Sequence, residues 1–354
     1  MSGWSSEQLA YTSLNPELRP SHHHRSACDT PLQDGCSCGT TSGTVHGVTS
    51  TRLLSDLRAV RRTILVANQK GGVGKSSIVA AIAVAVARRG KRVLVVDADQ
   101  QGNCTIRDLG VKDSDEGRSL AMTLQYGSAL EPVHDVRPGL DVVCGGKLLA
   151  MAGAVVAGAE QHGIDPRQNL LVALEALVNS GGYDLVLIDS GPGDRGVLDL
   201  LLQVVSWLIV PTKEDDGSID GAELLARRYL WARKNGAQVE LMGMILFDCN
   251  PRAVRRNEDT LGKIMDLLDG TGIEPFRSFV RQDKATALDA RAFHRTAEEL
   301  IDFAPPKNGD AADPGEAPAK KYSRDTEPLA TDYQKLTREV LVRLAAGERA
   351  KEGV

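Results

Sequence analysis

The most informative segment of this chain is Lys70-Gly-Gly-Val-Gly-Lys-Ser-Ser77. It follows the apolar run at residues 63–68 and precedes a long stretch rich in alanine and valine, so a strand, a glycine-rich turn and a helix are predicted in that order. Glycines allow backbone N–H groups to converge on phosphate oxygens, and a helix N-terminus adds partial positive charge. The segment therefore predicts a phosphate-binding loop at the start of an α/β domain.

The spacing of this loop differs from the usual pattern Gly-x4-Gly-Lys-Ser/Thr, whose first glycine would fall at Gln69. We still expect the Lys75 ammonium to reach the β- and γ-phosphates of a nucleotide and the Ser76 hydroxyl to bind Mg²⁺. A glycine-rich turn that only joins a strand to a helix is the alternative. The predicted nucleotide-binding residues of the loop are Gly71, Gly72, Val73, Gly74, Lys75, Ser76 and Ser77.

Aspartates end two further apolar runs. Asp97 and Asp99 follow the run that starts at residue 92, and Asp189 ends the run that starts at residue 184. Because the carboxyl ends of parallel strands meet at one edge of a sheet, we expect these carboxylates to lie beside the phosphate loop. Asp189 is the predicted Mg²⁺ ligand, directly or through water, and Asp97 is a second candidate. A carboxylate of the Asp97 and Asp99 pair could position an attacking water.

Composition supports the same fold class. The chain has 354 residues, of which 42% are hydrophobic and only 4% aromatic, which argues against a β-sandwich or an RNA reader that depends on stacking. Apolar runs recur at residues 140–144, 184–189, 205–210 and 241–247, and unbroken runs are typical of strands buried on both faces. We predict an α/β fold with a doubly wound, mostly parallel sheet flanked by helices.

The organisation of the chain follows from the same patterning. We predict a disordered tail at residues 1–51, an ATPase core at 52–303, a flexible loop at 304–328 and a C-terminal helix at 329–354 that packs on the core. No apolar stretch reaches the ~20 residues that span a bilayer, so we expect no transmembrane helix, and we expect no secretion because the N-terminus lacks a basic start and an apolar region. Six scattered cysteines are typical of a reducing cytoplasm.

These motifs resemble the deviant Walker A ATPases of the ParA/MinD family, and most of all the ParA-type partition ATPases. Residues 70–77 match the family signature, including the additional lysine at Lys70. Residues 94–105 are similar to the ParA segment Asp-x-Asp-Pro-Gln-Gly-Asn-x-Thr, with Gln100 in place of the usual proline. Ser190-Gly-Pro-Gly193 stands where ParA proteins often have Cys-Pro-Pro-Ser. The resemblance covers roughly residues 62–300 and the last helix.

The resemblance implies an ATP-bound homodimer with ATP and Mg²⁺ as cofactors. In such a dimer Lys70 would cross to the phosphates of the partner subunit, while Lys75 and Ser76 would serve their own subunit. Asp99 would correspond to the aspartate needed for hydrolysis, which gives Lys70, Lys75 and Asp99 as catalytic candidates. Pro211 is the candidate contact to adenine, although a proline at a strand end is as often a simple stop signal. Residues 250–251 are a second candidate beside the base.

The resemblance also implies nonspecific DNA binding, a ParB-type centromere-binding partner and a cytoplasmic location on the nucleoid. The cargo would be plasmid, phage or chromosomal DNA. The net charge of −5 leaves local basic clusters as the candidate contacts to phosphates, and a solvated helix face is the alternative reading of such clusters. The DNA-binding candidates are Arg227, Arg228, Arg233, Lys234, Arg252, Arg255, Arg256 and Arg281.

Other functions fit parts of the pattern. A nucleotide-switched scaffold or regulator would share the motifs, and a MinD-like membrane ATPase would use an amphipathic helix at residues 332–346, although we expect no membrane association. An iron–sulfur protein would need Cys104 and Cys144 as ligands, whereas ordinary buried cysteines are the simpler interpretation. The N-terminal residues His22–His24, Cys28, Cys36 and Cys38 match no standard zinc spacing.

Overall fold

The computed structural model describes residues 61–158, 163–303 and 321–352. The strands are β1 Thr63–Val66, β2 Val93–Ala98, β3 Val133–Arg137, β4 Leu140–Val143, β5 Leu185–Ser190, β6 Trp207–Thr212, β7 Glu240–Cys249 and β8 Val280–Arg281. The α-helices are α1 Lys75–Ala87, α2 Arg118–Tyr126, α3 Ala152–Gly158, α4 Pro166–Gly181, α5 Arg195–Val204, α6 Asp216–Lys234, α7 Val254–Leu268, α8 Lys284–Phe293 and α9 Glu327–Glu352. A π-helical turn covers Asn103–Asp108 and a 3₁₀ turn covers Lys147–Met151.

The strands form a single sheet in the order β3-β4-β2-β5-β1-β6-β7-β8. All neighbours pair in parallel except β3, which is antiparallel to β4. The carboxyl ends of β1, β2 and β5 lie side by side, since Val66 pairs with Asp189 and Asp97 also pairs with Asp189. The predicted doubly wound, mostly parallel sheet is therefore confirmed.

Two hydrophobic clusters cover the two faces of the sheet. Ile64 and Val66 belong to one cluster and Leu65 to the other, as the alternation of side chains along a strand requires. Helices α1 and α9 cover the first face, and helices α2, α4, α5, α6 and α7 cover the second. The central strands are buried on both sides, which is why they appear in the sequence as continuous apolar runs.

Two edge strands have no counterpart among the predicted apolar runs. Strand β3 has the sequence Val-His-Asp-Val-Arg and is at best half-buried, so its pattern lacks the apolar run of the central strands. Strand β8 has only two residues and pairs with β7 through Val280 and Arg281. Both strands depend on pairing with a neighbour, and that information is absent from local hydrophobicity.

The C-terminal helix is longer than its apolar pattern at residues 332–346 indicates, because it runs from Glu327 to Glu352. Leu336, Val340 and Leu344 bury its apolar side in the cluster that contains α1. Gly347 permits a close approach to Trp207, since a Cβ at this glycine would lie 2.0 Å from the indole ring. The apolar side of α9 is therefore used in packing on the core.

Among the residues described, no helix has the length and apolarity needed to cross a membrane. The predicted tail at residues 1–51 and residues 304–320 of the predicted loop lie outside the described residues, as do the candidate ligands at positions 22–24, 28, 36 and 38.

Candidate nucleotide-binding site

The glycine-rich loop joins β1 to α1 at the carboxyl edge of the sheet. Gly72 and Gly74 adopt left-handed backbone conformations with φ of 76° and 84°. A Cβ at Gly74 would lie 2.2 Å from the ring of Phe247 on β7, so only glycine fits between this loop and that ring. Helix α1 begins immediately afterwards at Lys75, which directs its first N–H groups towards the loop.

Lys75 lies in the interior of the loop. Its side chain is buried, and Nζ donates a hydrogen bond to the Lys70 carbonyl oxygen at 3.1 Å. Burial lowers the pKa of Lys75, whereas the negative charges of Asp189 and Asp99 raise it. The ammonium thus lies inside the loop and feels the charges of two carboxylates, and in this position it can pair with a phosphate.

Asp189 ends β5 with its carboxylate fully buried and without a hydrogen-bond partner for either oxygen. Burial raises the pKa of Asp189 well above its usual range, and the charge of Asp97 adds to this, while the nearby Ser76 hydroxyl and Lys75 oppose it. An unpartnered buried carboxylate is unfavourable unless a cation or a bound water satisfies it. Because Mg²⁺ prefers carboxylate, hydroxyl and phosphate oxygens, Asp189 and Ser76 fit a magnesium site.

Asp97 lies beside Asp189 but has its own partners. Its Oδ2 accepts hydrogen bonds from Thr105 N at 2.9 Å and Thr105 Oγ1 at 2.7 Å, and Oδ1 accepts one from Asp99 N at 3.0 Å. Burial raises the pKa of Asp97 to about 6 in spite of these bonds. Gly145 donates to Thr105 Oγ1 at 2.9 Å, which ties the end of β4 to the same network.

Asp99 is one of two carboxylates that line the loop cavity, together with Asp108. Oδ1 accepts a hydrogen bond from Gln101 N at 3.0 Å, and Oδ2 accepts one from Asn103 Nδ2 at 3.2 Å. A cavity of about 250 Å³ lies between Asp99, Lys75 and Ser76. An ionised carboxylate in this position can orient a water molecule beside a bound phosphate.

A second cavity, of about 390 Å³, adjoins the first and shares Gly72, Gly74 and Ser77 with it. Lys213 and Phe247 line this second cavity, with the Lys213 ammonium 5.7 Å from the centre of the ring and 2.7 Å from Asp248 Oδ2. An aromatic ring and an ion pair beside the phosphate loop suit the base and ribose of a nucleotide.

Several polar or charged residues of the loop cavity were absent from the predicted site. Among them are Asn103, Arg107, Asp108 and Arg291. Asn103 lies in the ParA-like stretch at residues 94–105, and Arg107 and Asp108 lie within three residues of its end. The motif could therefore have indicated these three residues. Arg291 is on α8 and reaches the site only through the fold. Burial raises the pKa of Asp108 to about 6, while Arg291 and Arg107 lower it.

The predicted adenine contact at Pro211 does not line either cavity. Pro211 lies inside β6, where it is buried and pairs with Ile245, and its carbonyl accepts a hydrogen bond from Asn68 Nδ2 at 2.8 Å. Residues 250–251 are also absent from both linings. The second cavity, which suits the base, is lined instead by Lys213 and Phe247. Strand β6 continues to Thr212, so Pro211 lies within the strand and Lys213 is the first residue after it.

Lys70 is exposed at the start of the loop. Its backbone N–H donates to Asn68 Oδ1 at 2.8 Å, and its ammonium lies 3.2 Å from the position of a Cβ at Gly217 on α6. The side chain therefore lies on the surface beside the phosphate loop, whereas Lys75 is inside it.

The two basic clusters do not form one compact patch. Helix α6 starts at the carboxyl edge of the sheet and is about 28 Å long, so Arg233 and Lys234 lie near the opposite edge. Arg255 and Arg256 lie in the first turn of α7, again at the carboxyl edge. The exposed members of the clusters are Arg227, Arg233, Lys234, Arg252, Arg255 and Arg256.

Two of the predicted DNA contacts have different roles in the structure. Arg228 is half-buried and pairs with Asp199 on α5. Arg281 binds the buried Asp332 of α9 through its backbone N–H, Nε and Nη2. The guanidinium of Arg281 is therefore engaged in holding α9, and its prediction as a phosphate contact is corrected.

Cys104 and Cys144 are buried thiols. Burial raises the pKa of both. Within residues 61–158, 163–303 and 321–352, no group of three or more His, Cys, Asp or Glu side chains is placed to hold a metal ion. The arrangement agrees with the simpler interpretation of these cysteines as small core residues.

Comparisons with known proteins agree with this geometry. The family model described as an AAA domain matches residues 61–238, which is half of the chain. The chain is 30% identical over 258 residues to the chromosome-partitioning ATPase Soj of Thermus thermophilus, which covers 69% of this chain and 97% of Soj. It is 33% identical over 196 residues to the chromosome partitioning protein ParA of Caulobacter vibrioides, which covers 52% of this chain and 68% of ParA.

A solved structure is similar as well. Cobyrinic acid a,c-diamide synthase from Mycobacterium smegmatis, with a bound ATP analogue and magnesium, aligns with a TM-score of 0.54 and 27% identity. The alignment covers 66% of this chain and 92% of the synthase.

Proposed function

The chain belongs to the ParA/MinD family of P-loop ATPases, and from that premise we propose that it partitions DNA as a ParA-type ATPase. It is an ATPase with ATP as substrate and Mg²⁺ as cofactor. The observation that supports the assignment best is the similarity to the chromosome-partitioning ATPase Soj, which extends over 97% of the length of Soj. The complete phosphate loop of this chain agrees with it. The proposed cycle is ATP-driven homodimerisation, DNA binding, and release after hydrolysis.

In this proposal the loop glycines and the first turn of α1 bind the β- and γ-phosphates through backbone N–H groups. The Lys75 ammonium, whose pKa the charges of Asp189 and Asp99 raise, neutralises negative charge that develops during phosphoryl transfer. Asp99, which lines the same cavity as Lys75, orients the attacking water. Lys70, exposed at the rim, is available to cross to the phosphates of a partner subunit.

Ser76 and Asp189 are the residues that would hold Mg²⁺, and Asp97, which pairs with Asp189 in the sheet, is the second candidate carboxylate. When bound, Mg²⁺ neutralises phosphate charge and fixes the orientation of the phosphate groups. The unpartnered oxygens of Asp189 are the feature of this chain that favours such a cation.

We propose nonspecific DNA and a ParB-type protein as partners, with the nucleoid as the cellular location. On charge alone, the exposed cations of α6 and α7 form one of two candidate surfaces for contacts to phosphates. A MinD-like use of α9 is disfavoured, because Leu336, Val340 and Leu344 already pack on the core.

The experiment that tests the ATPase mechanism is phosphate release from ATP in the presence of Mg²⁺. We expect Lys75→Ala to abolish release and Asp99→Ala to abolish release while retaining nucleotide binding. Unchanged release in both variants contradicts the mechanism. Asp99→Ala also separates an ATPase cycle from a nucleotide-switched scaffold, since a scaffold would keep its biological output without hydrolysis.

A further inference from the structure

A groove runs along the outer side of α9 where this helix packs on α1. We call it the α1–α9 groove, and it has a volume of about 550 Å³. Four of its lining residues are cations, Arg89 after the end of α1 and Lys335, Arg338 and Arg349 on α9. All the other lining residues are uncharged, so the groove has positive charges and no negative charge in its lining.

The four cations are exposed and unneutralised. Among the residues that the structure describes, none of them forms an ion pair. Other surface cations in the same region are paired, such as Arg62 with Glu348 and Arg343 with Glu339. The Arg349 Nε and an Arg89 guanidinium nitrogen donate only to backbone carbonyl groups one helical turn earlier. Closely spaced positive charges repel one another, and a bound anion offsets this repulsion.

The spacing of the cations indicates a linear ligand. Lys335, Arg338 and Arg349 lie on one side of α9 and span about 21 Å along its axis. A duplex carries one phosphate about every 3.4 Å along each strand, so a stripe of this length can contact several phosphates at once. Thr331 and Gln334 add uncharged donors of the kind that bind phosphate oxygens.

We infer that the α1–α9 groove binds the phosphate backbone of duplex DNA. This inference rests on the proposed partition function and assigns its DNA contact to the sheet face covered by α1 and α9. That face is opposite to the face covered by α6 and α7, where Arg227, Arg233 and Lys234 lie. Helix α1 begins at the phosphate loop and ends beside Arg89, so one helix joins the nucleotide site to the groove.

The test compares two triple variants that remove the same number of positive charges from opposite faces. The groove variant is Lys335→Gln, Arg338→Gln and Arg349→Gln, and the matched control is Arg227→Gln, Arg233→Gln and Lys234→Gln. Binding of a labelled random-sequence duplex is measured by fluorescence anisotropy with ATP and Mg²⁺, between about 50 and 200 mM salt. Thermal unfolding confirms that both variants fold, as expected for exposed side chains.

We expect the groove variant to bind DNA at least about ten-fold more weakly. The slope of log K against log[salt], which is negative, should become less steep by about 2.7, since each phosphate contact contributes about 0.9. The control should keep the slope of the parent chain. A charge-retaining variant, Lys335→Arg with Arg338→Lys and Arg349→Lys, should restore binding, because phosphate contacts need positive charge and not a particular side chain.

Two outcomes overturn the inference. If the parent chain binds DNA and the groove variant keeps its affinity and slope, the DNA contact lies elsewhere, and loss in the α6 control would place it on the other face. If the parent chain itself fails to bind duplex at low salt with ATP and Mg²⁺, the proposed partition function fails together with the groove.

Discussion

The Thr105 hydroxyl lies 2.7 Å from Asp97 Oδ2, inside a wholly buried network beneath the phosphate loop. The Thr105 backbone N–H donates to the same oxygen, and Thr105 Oγ1 accepts the Gly145 N–H. One side chain therefore connects the ends of β2 and β4 and fixes the carboxylate that faces Asp189. Thr105 is therefore expected to stabilise the fold around the site.

We predict that Thr105→Val lowers the free energy of unfolding by about 1–3 kcal/mol, because a buried carboxylate and the Gly145 N–H each lose a partner. Thr105→Ser keeps the hydroxyl and should lose much less. Urea denaturation of the nucleotide-free chain measures both. Equal stability of Thr105→Val and the parent chain would show that the network is not required.

Gly145 is required because a larger side chain would collide with Asp97, whereas its backbone conformation would accept other residues. A Cβ at this position would lie 2.5 Å from Asp97 Cγ and 2.7 Å from the Asp97 carbonyl oxygen. We predict that Gly145→Ala destabilises the fold by about 1–3 kcal/mol through overpacking.

The matched control is Gly262 in α7, where a Cβ would meet nothing within 4 Å. Gly262→Ala should stabilise the chain by about 0.5–1 kcal/mol, because glycine is unfavourable inside a helix. Thermal unfolding of the two variants should give melting temperatures displaced in opposite directions. Displacement in the same direction would contradict the packing described around Asp97.

Asp108 should give the stability of the chain a pH dependence that a neutral residue lacks. Its pKa rises from 3.8 to about 6 on folding, chiefly through burial. A carboxyl with a raised pKa favours the folded state at low pH, and this contribution is lost as the pH rises from about 4 through 6.

Asp108→Asn removes this dependence. The stability of the variant relative to the parent chain should therefore increase between pH 4 and pH 7, by an amount of order 1–3 kcal/mol. Urea denaturation at a series of pH values measures the difference. A constant difference across this range would exclude a shifted titration of Asp108.

The ion pair between Arg281 and Asp332 should hold α9 to β8. Arg281→Ala leaves Asp332, which is 3% exposed, without its partner, and we predict a loss of about 3 kcal/mol in the free energy of unfolding. The control is Arg277→Ala, whose side chain is 87% exposed and pairs with an exposed glutamate. Its effect should stay within about 0.5 kcal/mol. Similar losses in both variants would contradict the buried pair.

Sequence patterns predicted the parts of this fold that depend on local hydrophobicity. The central strands are buried on both faces, so each appears as an apolar run, and the family motifs place Lys75, Asp97, Asp99 and Asp189 at the carboxyl edge. Strand β3 was missed because half-exposed edge residues carry no such run. Its position depends on pairing with β4, which local patterning does not encode.

Long-range contacts also account for the differences at the site. Arg291 reaches the loop cavity from α8, and Arg281 is taken up by an aspartate that lies 51 residues further along the chain. A cluster of charges in the sequence does not show which of its members have buried partners. Only the fold separates paired arginines from those of the α1–α9 groove.

In the proposed cycle, ATP controls DNA binding by this chain. The most direct measurement is a salt titration of duplex binding by the parent chain with ATP and Mg²⁺, with ADP and Mg²⁺, and by Lys75→Ala with ATP and Mg²⁺. We predict salt-dependent binding to random-sequence duplex in the first case and strongly reduced binding in the other two. Binding that is equal in all three, or absent in all three at low salt, would contradict the claim.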